Sequence, residues 1–402
     1  MKALVLAAGR GRNLKPFTTS RSTHMVMIAG KYLLENTVNL LAAAGITEIN
    51  IVVGHKAEKI VDHFQRGKDF HVNIQYIYQD APGEIGDAIL LARERILPDQ
   101  YFLLVYGDIL TPTNIFSKTI QGFNLFRSPI ASICLTPSTK PYGNIFMNDE
   151  MKITRIIEKP EENNLGNYVL SGVFVLPTTF FTLLEETQRN MEGALSLMVG
   201  RHELYASIWE EDWIDIGYPW DILSANHMAM STWEESSISR FARLNGDVKI
   251  EGPVRIERDV IIESGTSIRG PCYIGPGCFV GNNVLIREYT TIGPNSVIGF
   301  GVELKNCVMF GNNKVGRLSF IGDSVVGENV YIGSGTMTIN GNLDGSPVQT
   351  VLEGISHETN LLKVGSFIGD NAKIGASNTL AAGTVIEYEG VIPHNHSWPL
   401  RG

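Results

Sequence analysis

The sequence predicts an α/β domain followed by a repetitive parallel-β domain. Three observations predict it. Strand-like and helix-like patterns alternate from residue 1 to about residue 228. A six-residue apolar period runs from Leu244 towards the carboxyl terminus. A polar stretch, AMSTWEESSISR, separates the two patterns. The expected organisation is 1–228 for the α/β domain, 229–243 for a linker and 244–402 for the repeats, with a loop over 339–361 extruded from them.

The first domain opens on a short apolar strand, Leu4 to Ala8, that runs into Gly9-Arg10-Gly11. That is the layout of a loop that lays backbone N–H groups against phosphates. Residues 48–54, 73–79 and 101–108 read as buried strands, and 37–45 and 88–96 as amphipathic helices. Ligands of such sheets bind at the carboxyl ends of strands. Asp108 stands at one such end, and Asp215 follows another short β-rich run.

In the second half, one apolar series steps by six from Leu244 through Ile250, Ile256 and Ile262 to Leu304 and Phe310. Four residues after each member sits a small or β-branched residue, such as Thr266, Cys272, Cys278 or Ser296. The phase breaks after Phe310 and resumes with Phe320, Val326 and Ile332, then with Ile368, Ile374, Leu380 and Ile386. Each hexad makes one flat side of a triangular prism, and three hexads make one coil. The large aliphatic points inward, the small residue fits a tight interior position, and Gly or Asn permits the corner. Each coil bonds only to its neighbours, so the stack buries one continuous core. Cys272 and Cys278 then serve packing rather than chemistry. Residues 339–361 do not fit the repeat and read as a loop that carries a site or a subunit contact. The tail holds His394 and His396, where a solvated end is favoured over a metal site.

Composition narrows the function. The 402 residues are 44% hydrophobic and 19% charged, ordinary for a soluble globular protein. A net charge of −9 argues against a nucleic-acid binder. Cys134, Cys272, Cys278 and Cys307 lack metal-ligand spacing and read as reduced structural thiols. No signal peptide and no membrane-length apolar run is present, so a cytoplasmic protein without a membrane partner is expected.

The segment LVLAAGRGRNLKPFTTSRSTHM resembles the signature of sugar-1-phosphate nucleotidylyltransferases, G-x-G-[TS]-R-[LM]-x-P-x-T followed by Pro-Lys-Pro. The frame stands as Gly9, Gly11, Leu14, Pro16 and Thr18. The resemblance continues through GITEINIVVGHKAEKI, Tyr106-Gly107-Asp108, Tyr142-Gly143, Glu158-Lys159-Pro160 and Asp215-Ile216-Gly217-Tyr218-Pro219-Trp220-Asp221. It implies a Rossmann-like nucleotidyltransferase domain followed by a left-handed parallel β-helix, as in the bifunctional enzymes that make UDP-N-acetylglucosamine and their archaeal relatives. It implies a reaction in which a sugar-1-phosphate attacks the α-phosphate of a nucleoside triphosphate and pyrophosphate leaves. Asp108 and Asp215 then hold Mg²⁺. Lys159 binds the sugar phosphate, and Glu158 and Gly143 bind the sugar. Ala8, Gly9, Gly11, Gln79 and Gly86 meet the nucleotide.

The same resemblance marks departures. The catalytic Arg falls on Asn13 and the catalytic Lys on Thr23, with Ser22 and His24 in place of the flanking prolines. Arg12 stands where a small Thr or Ser is usual and is a candidate substitute cation. The base-recognition segment reads Glu84-Ile85-Gly86, and Leu170 replaces a sugar-binding Asn. In the β-helix, Arg317 occupies the general-base His position of the acetyltransferase site and cannot act as a base near neutral pH. Losing one transition-state donor costs roughly a hundred- to thousandfold in rate. The departures therefore predict an impaired or inactive homologue that regulates or scaffolds an active paralogue, or binds a sugar nucleotide. Two alternatives stay open: a working enzyme that uses Arg10, Arg12 or Lys15 in place of the lost cations, and a β-helix acyltransferase with a vestigial first domain. The flat faces of such a helix predict a homotrimer.

Overall fold

The computed structural model describes residues 1–81, 83–136, 142–157 and 167–398. In chain order the elements begin with β1 (Lys2–Ala7), the hairpin β2 (Met27–Ile28) and β3 (Lys31–Tyr32), α1 (Leu33–Ala43), β4 (Glu48–Val53), α2 (Ala57–Phe64) and β5 (Asn73–Tyr78). Next come α3 (Ile85–Leu91), α4 (Arg93–Ile96), β6 (Tyr101–Tyr106), β7 (Ile109–Leu110), α5 (Ile115–Phe126) and β8 (Ile130–Leu135). Then follow β9 (Asn144–Met147), β10 (Ile153–Ile157), β11 (Tyr168–Pro177), α6 (Phe180–Glu186), α7 (Met191–Gly200), β12 (Tyr205–Trp209), β13 (Ile214–Asp215) and α8 (Pro219–Ser231). The helix expected over 88–96 starts three residues earlier and breaks at Ala92 into α3 and α4.

Two compact units result. One holds Met1–Arg10 and Leu33–Asp215; the other holds Gly11–Tyr32 and the chain from Ile216 onwards. The sequence assigned residues 11–32 and 216–228 to the first domain; the structure groups both with the repeats.

The first unit is built on one sheet, ordered β10-β9-β11-β6-β1-β4-β5, with β8 on β11 and β12 on β8. β1 runs parallel to both β4 and β6, so its carboxyl end lies between theirs. Continuous apolar runs suit strands covered on both faces. Leu104 and Phe174 are fully buried, and Phe102 stacks on Phe181 at 5.4 Å.

The second unit is a left-handed parallel β-helix of three eight-stranded parallel sheets. Its first strand is Ser237–Ile238, so the coils begin inside the stretch read as a linker. That end is ragged: Leu244, expected inside, is 37% exposed. Most partner residues are 18 apart, as Val254 and Cys272 are. Ile262, Ile268, Ile292, Ile298 and Leu304 fill the interior, each fully buried. Burying one such side chain contributes about 1.5–3 kcal/mol. Cys272 and Cys278 hold interior small positions, and their thiols donate to the carbonyls of Arg287 and Gly293. Burial pushes the Cys278 thiol up to about 11.

Two inward assignments need correction. Thr291 pairs with Val308, only 17 residues on. The side between Leu304 and the next inward residue is one residue short, so Met309 points inward and Phe310 outward. Ile321 likewise takes the inward place expected of Phe320. Phe310 is nevertheless buried, because Phe17 packs on its ring at 5.3 Å and the Arg21 guanidinium lies over it at 4.7 Å.

A longer interruption follows. Val325 pairs with Phe367, 42 residues on, which places about 24 residues outside the coil. The extra segment is not a plain loop. It carries an antiparallel hairpin, Gln349–Leu352 with Ile355–Glu358. Among the described residues, no helix is long and apolar enough to cross a membrane.

Candidate functional site

In the first unit, the acids expected to hold metal come together through backbone pairing. β6 ends at Tyr106, the Gly107 N–H donates to the Leu6 carbonyl at 3.0 Å, and Asp108 follows. β7 then pairs with β13, with Asp215 opposite Ile109. Asp108 is therefore one residue from the partner of Asp215. Burial raises the Asp108 pKa from its ordinary value, and its own backbone N–H opposes the shift. β13 is held in turn by Trp213, whose indole donates to the Ser171 carbonyl at 2.9 Å and meets Tyr142 edge-on at 5.3 Å. Among the described residues, no group of three or more His, Cys, Asp or Glu could hold a metal.

Around the expected base and sugar positions the unit forms a cavity of about 380 Å³. Glu84, Ile85, Tyr106, Leu170, Glu192 and Leu195 are among its lining residues. Gln79 continues β5, its N–H donating to the Val53 carbonyl at 2.8 Å. Its amide nitrogen lies 2.8 Å from where a Cβ on Gly83 would stand. The Glu84 N–H donates to Asp87 at 2.9 Å, and Asp87 pairs with Arg189 at 2.8 Å. Gly86 has a packing reason of its own: a Cβ there would meet the Arg189 carbonyl oxygen at 1.9 Å. Gly143 also stands here, its carbonyl accepting from the Leu170 N–H at 3.2 Å. Ala8 packs close to Gly54, and Gly9 faces open space. Arg10 is exposed. Glu158 and Lys159 lie outside the described residues.

The rest of the signature segment belongs to the second unit. Gly11 is left-handed, with φ of 55°, and a Cβ on it would meet the Thr23 hydroxyl at 2.1 Å. Thr18 donates to the Gly11 carbonyl at 2.7 Å. Thr23 is thus buried against the loop, whereas Arg12 and Asn13 are exposed. Lys15, the other candidate substitute cation of this unit, is ion-paired with Glu353 of the inserted hairpin.

Sequence reasoning missed Arg21, which pairs with Asp370 and reaches Glu328 at 3.2 Å. Its only signal was an arginine embedded in an otherwise neutral stretch, TTSRSTHM. Elsewhere in this unit, Arg317 is exposed at a coil corner. His394 is part of the last coil rather than a free tail: its Nδ1 accepts the Ala376 N–H at 2.7 Å, and the His396 N–H donates to Asn378 at 2.8 Å.

Comparison with known proteins agrees with this architecture. Residues 2–232 match the nucleotidyl transferase family model, and residues 268–353 match that of the GMPPB C-terminal domain. The bifunctional protein GlmU of Methanocaldococcus jannaschii is 32% identical over 96% of this chain and 92% of its own length. The bifunctional sugar-1-phosphate nucleotidylyltransferase/acetyltransferase of Sulfurisphaera tokodaii is 32% identical over 96% and 94%. The low-salt glycan biosynthesis nucleotidyltransferase Agl11 of Haloferax volcanii is 32% identical over 83% and 94%. A solved structure described as a glucose-1-phosphate thymidylyltransferase of Bacillus anthracis with sucrose shares the fold at a TM-score of 0.53 and 23% identity, covering 57% of this chain and 95% of that one. With a strand-end acid pair on the Rossmann-like sheet of one unit and a hexapeptide coil in the other, the chain belongs to the sugar-1-phosphate nucleotidylyltransferase family.

Proposed function

We propose that this chain is an impaired or inactive sugar-phosphate nucleotidylyltransferase that binds a sugar nucleotide and regulates or scaffolds an active paralogue. One observation carries the reading. At the position of the catalytic lysine stands the Thr23 hydroxyl, buried against Gly11. A neutral group there offers the phosphates no cation, and exposed Asn13 offers none either. The names of the relatives support a sugar-1-phosphate and a nucleoside triphosphate, or the sugar nucleotide itself, as the ligand class.

The family uses a divalent metal such as Mg²⁺, which screens phosphate charge when bound. Asp108 and Asp215 fit it: Mg²⁺ takes one or two carboxylates and shares its remaining positions with water and substrate phosphates. Lys159 and Glu158 keep the sugar-phosphate and sugar-hydroxyl roles in this reading. The rest of the chemistry available to this chain is positional. In the first unit Gly9 and the strand ends orient a nucleotide, and Gln79 reads its base. Leu170 and the carboxylate of Glu84 depart from what the family offers a sugar and a base.

For a working enzyme on substitute cations, Glu353 already engages one of the three candidates, Lys15, while Arg10 and Arg12 are exposed. An acyltransferase is disfavoured by Arg317. A homotrimer is supported by one outer column of the β-helix. There the exposed apolar residues Phe279, Val297, Tyr331 and Val391 share the column with Lys314, between Val297 and Tyr331, and Lys373, between Tyr331 and Val391.

The test is pyrophosphate release with each common nucleoside triphosphate against glucosamine-, glucose- and mannose-1-phosphate plus Mg²⁺. The expected result is no release, or release at least several thousandfold below an ordinary enzyme. Turnover at ~1 to 10³ per second would overturn the reading.

A further inference from the structure

We propose that the hairpin inserted into the coil is a built-in competitor for the cations of the signature segment, holding Glu353 where a polyphosphate would bind. This rests on the reading above that the glycine loop of the signature segment meets phosphate, and extends it to Lys15, named there as a candidate substitute cation. The hairpin is tightly built. Leu352 pairs with Ile355, so the turn is two residues, Glu353 and Gly354. Their φ angles of 50° and 82° are those of the turn that best fits twisted strands.

Its base is fixed to the second unit at two places. Buried Thr350 donates to the Gly383 carbonyl at 2.8 Å. The His357 ring lies 5.5 Å from that of Tyr218, which stacks on Trp220 at 4.6 Å. The tip is thereby aimed, and its carboxylate accepts a hydrogen bond from Lys15. Lys15, and more weakly the charge of Arg12, hold the Glu353 carboxyl below its ordinary range. Lys15 of the signature segment thus already faces an internal anion.

A carboxylate and a phosphate compete for the same ammonium, and the phosphate brings more charge. A polyphosphate therefore reaches Lys15 only by displacing Glu353. The site is held closed in the resting protein and opens for anions that outbid one carboxylate.

Titration calorimetry of the full chain with inorganic pyrophosphate tests this. The pair is solvent-exposed, so the effect is modest. Glu353→Gln is expected to bind pyrophosphate up to about fivefold more tightly than the parent chain. Glu358→Gln removes the same charge from the same hairpin and is expected to bind like the parent. Adding Lys15→Ala to Glu353→Gln is expected to erase the gain. Equal affinity for the parent and Glu353→Gln overturns the competitor while leaving the phosphate-facing reading standing. Failure of both to bind overturns that reading and the competitor with it.

Discussion

Arg21 and Asp370, 349 residues apart, form a buried ion pair that fastens the signature segment to the coil. The two side chains are 2% and 4% exposed. Asp370 is saturated: its other oxygen accepts the Glu328 N–H at 2.7 Å, and Ser20 donates to the oxygen that Arg21 uses. The segment that the sequence assigns to nucleotide chemistry is thus anchored on the repeats by charge and by the Phe17–Phe310 contact.

Removing one partner of such a pair leaves an uncompensated buried charge, which costs about 3–5 kcal/mol. Arg21→Met is expected to destabilise the second unit by about 3 kcal/mol, read as a lower urea midpoint. Arg21→Met combined with Asp370→Leu is expected to recover part of the loss. An unchanged midpoint for Arg21→Met would show that the segment is held without the Arg21–Asp370 pair, by Phe17, Ser20 and Lys15.

Leu318 tests the corner rule. Coil corners adopt the left-handed conformation, usually with Asn or Gly, as at Asn295, Asn312 and Gly335. Leu318 has φ of 57° and is 57% exposed, so it carries the strain without compensating burial. Left-handed backbone costs most residues roughly 1–2 kcal/mol, and Asn less. Leu318→Asn is expected to raise stability by about 1 kcal/mol, seen as a higher thermal midpoint. A lower midpoint would mean that the Leu318 side chain stabilises by covering Gly301.

These cases separate what the sequence made legible from what it did not. The hexad period is local, so Ile262 or Ile298 could be placed inside the prism from spacing alone. A one-residue shortening leaves no local mark, so the pattern carried on to Phe310 while the register had moved to Met309. The acids Asp108 and Asp215 were legible from their neighbours in sequence, and backbone pairing does the rest. Arg21 with Asp370, and Lys15 with Glu353, were not legible, because long-range charge pairs depend on how hundreds of intervening residues fold. Gly86 shows a subtler limit. Its motif suggested close approach of a base, whereas the Arg189 carbonyl already requires a glycine there.

Asp221 gives a pH test. It caps the amino end of α8, accepting the N–H groups of Tyr218 at 2.7 Å and Gly217 at 3.0 Å. Burial nevertheless raises its pKa to about 6, the two N–H groups opposing the shift. An unfolded Asp titrates near ~3.9. Between about pH 4 and 6 the folded chain therefore binds the extra proton, and the contribution of Asp221 to stability falls as pH rises through that window. Asp221→Asn keeps the accepting oxygen and removes the charge. Its advantage over the parent is expected to grow from near zero at pH 4 to the order of 1–2 kcal/mol at pH 7, by thermal denaturation. A difference independent of pH would place the titration elsewhere.

Thr23→Lys bears most directly on why the chain departs from its family. Asn13 is exposed, so Asn13→Arg is expected to fold with stability within about 0.5 kcal/mol of the parent. Thr23 is 5% exposed, with its hydroxyl against Gly11 and Thr18 bonded across the same turn. A lysine there must either bury its ammonium or push the loop aside, at a cost of about 2 kcal/mol or more. Thr23→Lys is therefore expected to lower the thermal midpoint where Asn13→Arg does not. Pyrophosphate release by the double variant is expected to stay low even with Mg²⁺ present. If Thr23→Lys keeps full stability and the double variant gains activity, the loop already has room for the missing cation. The chain would then lack charges and not the geometry to use them.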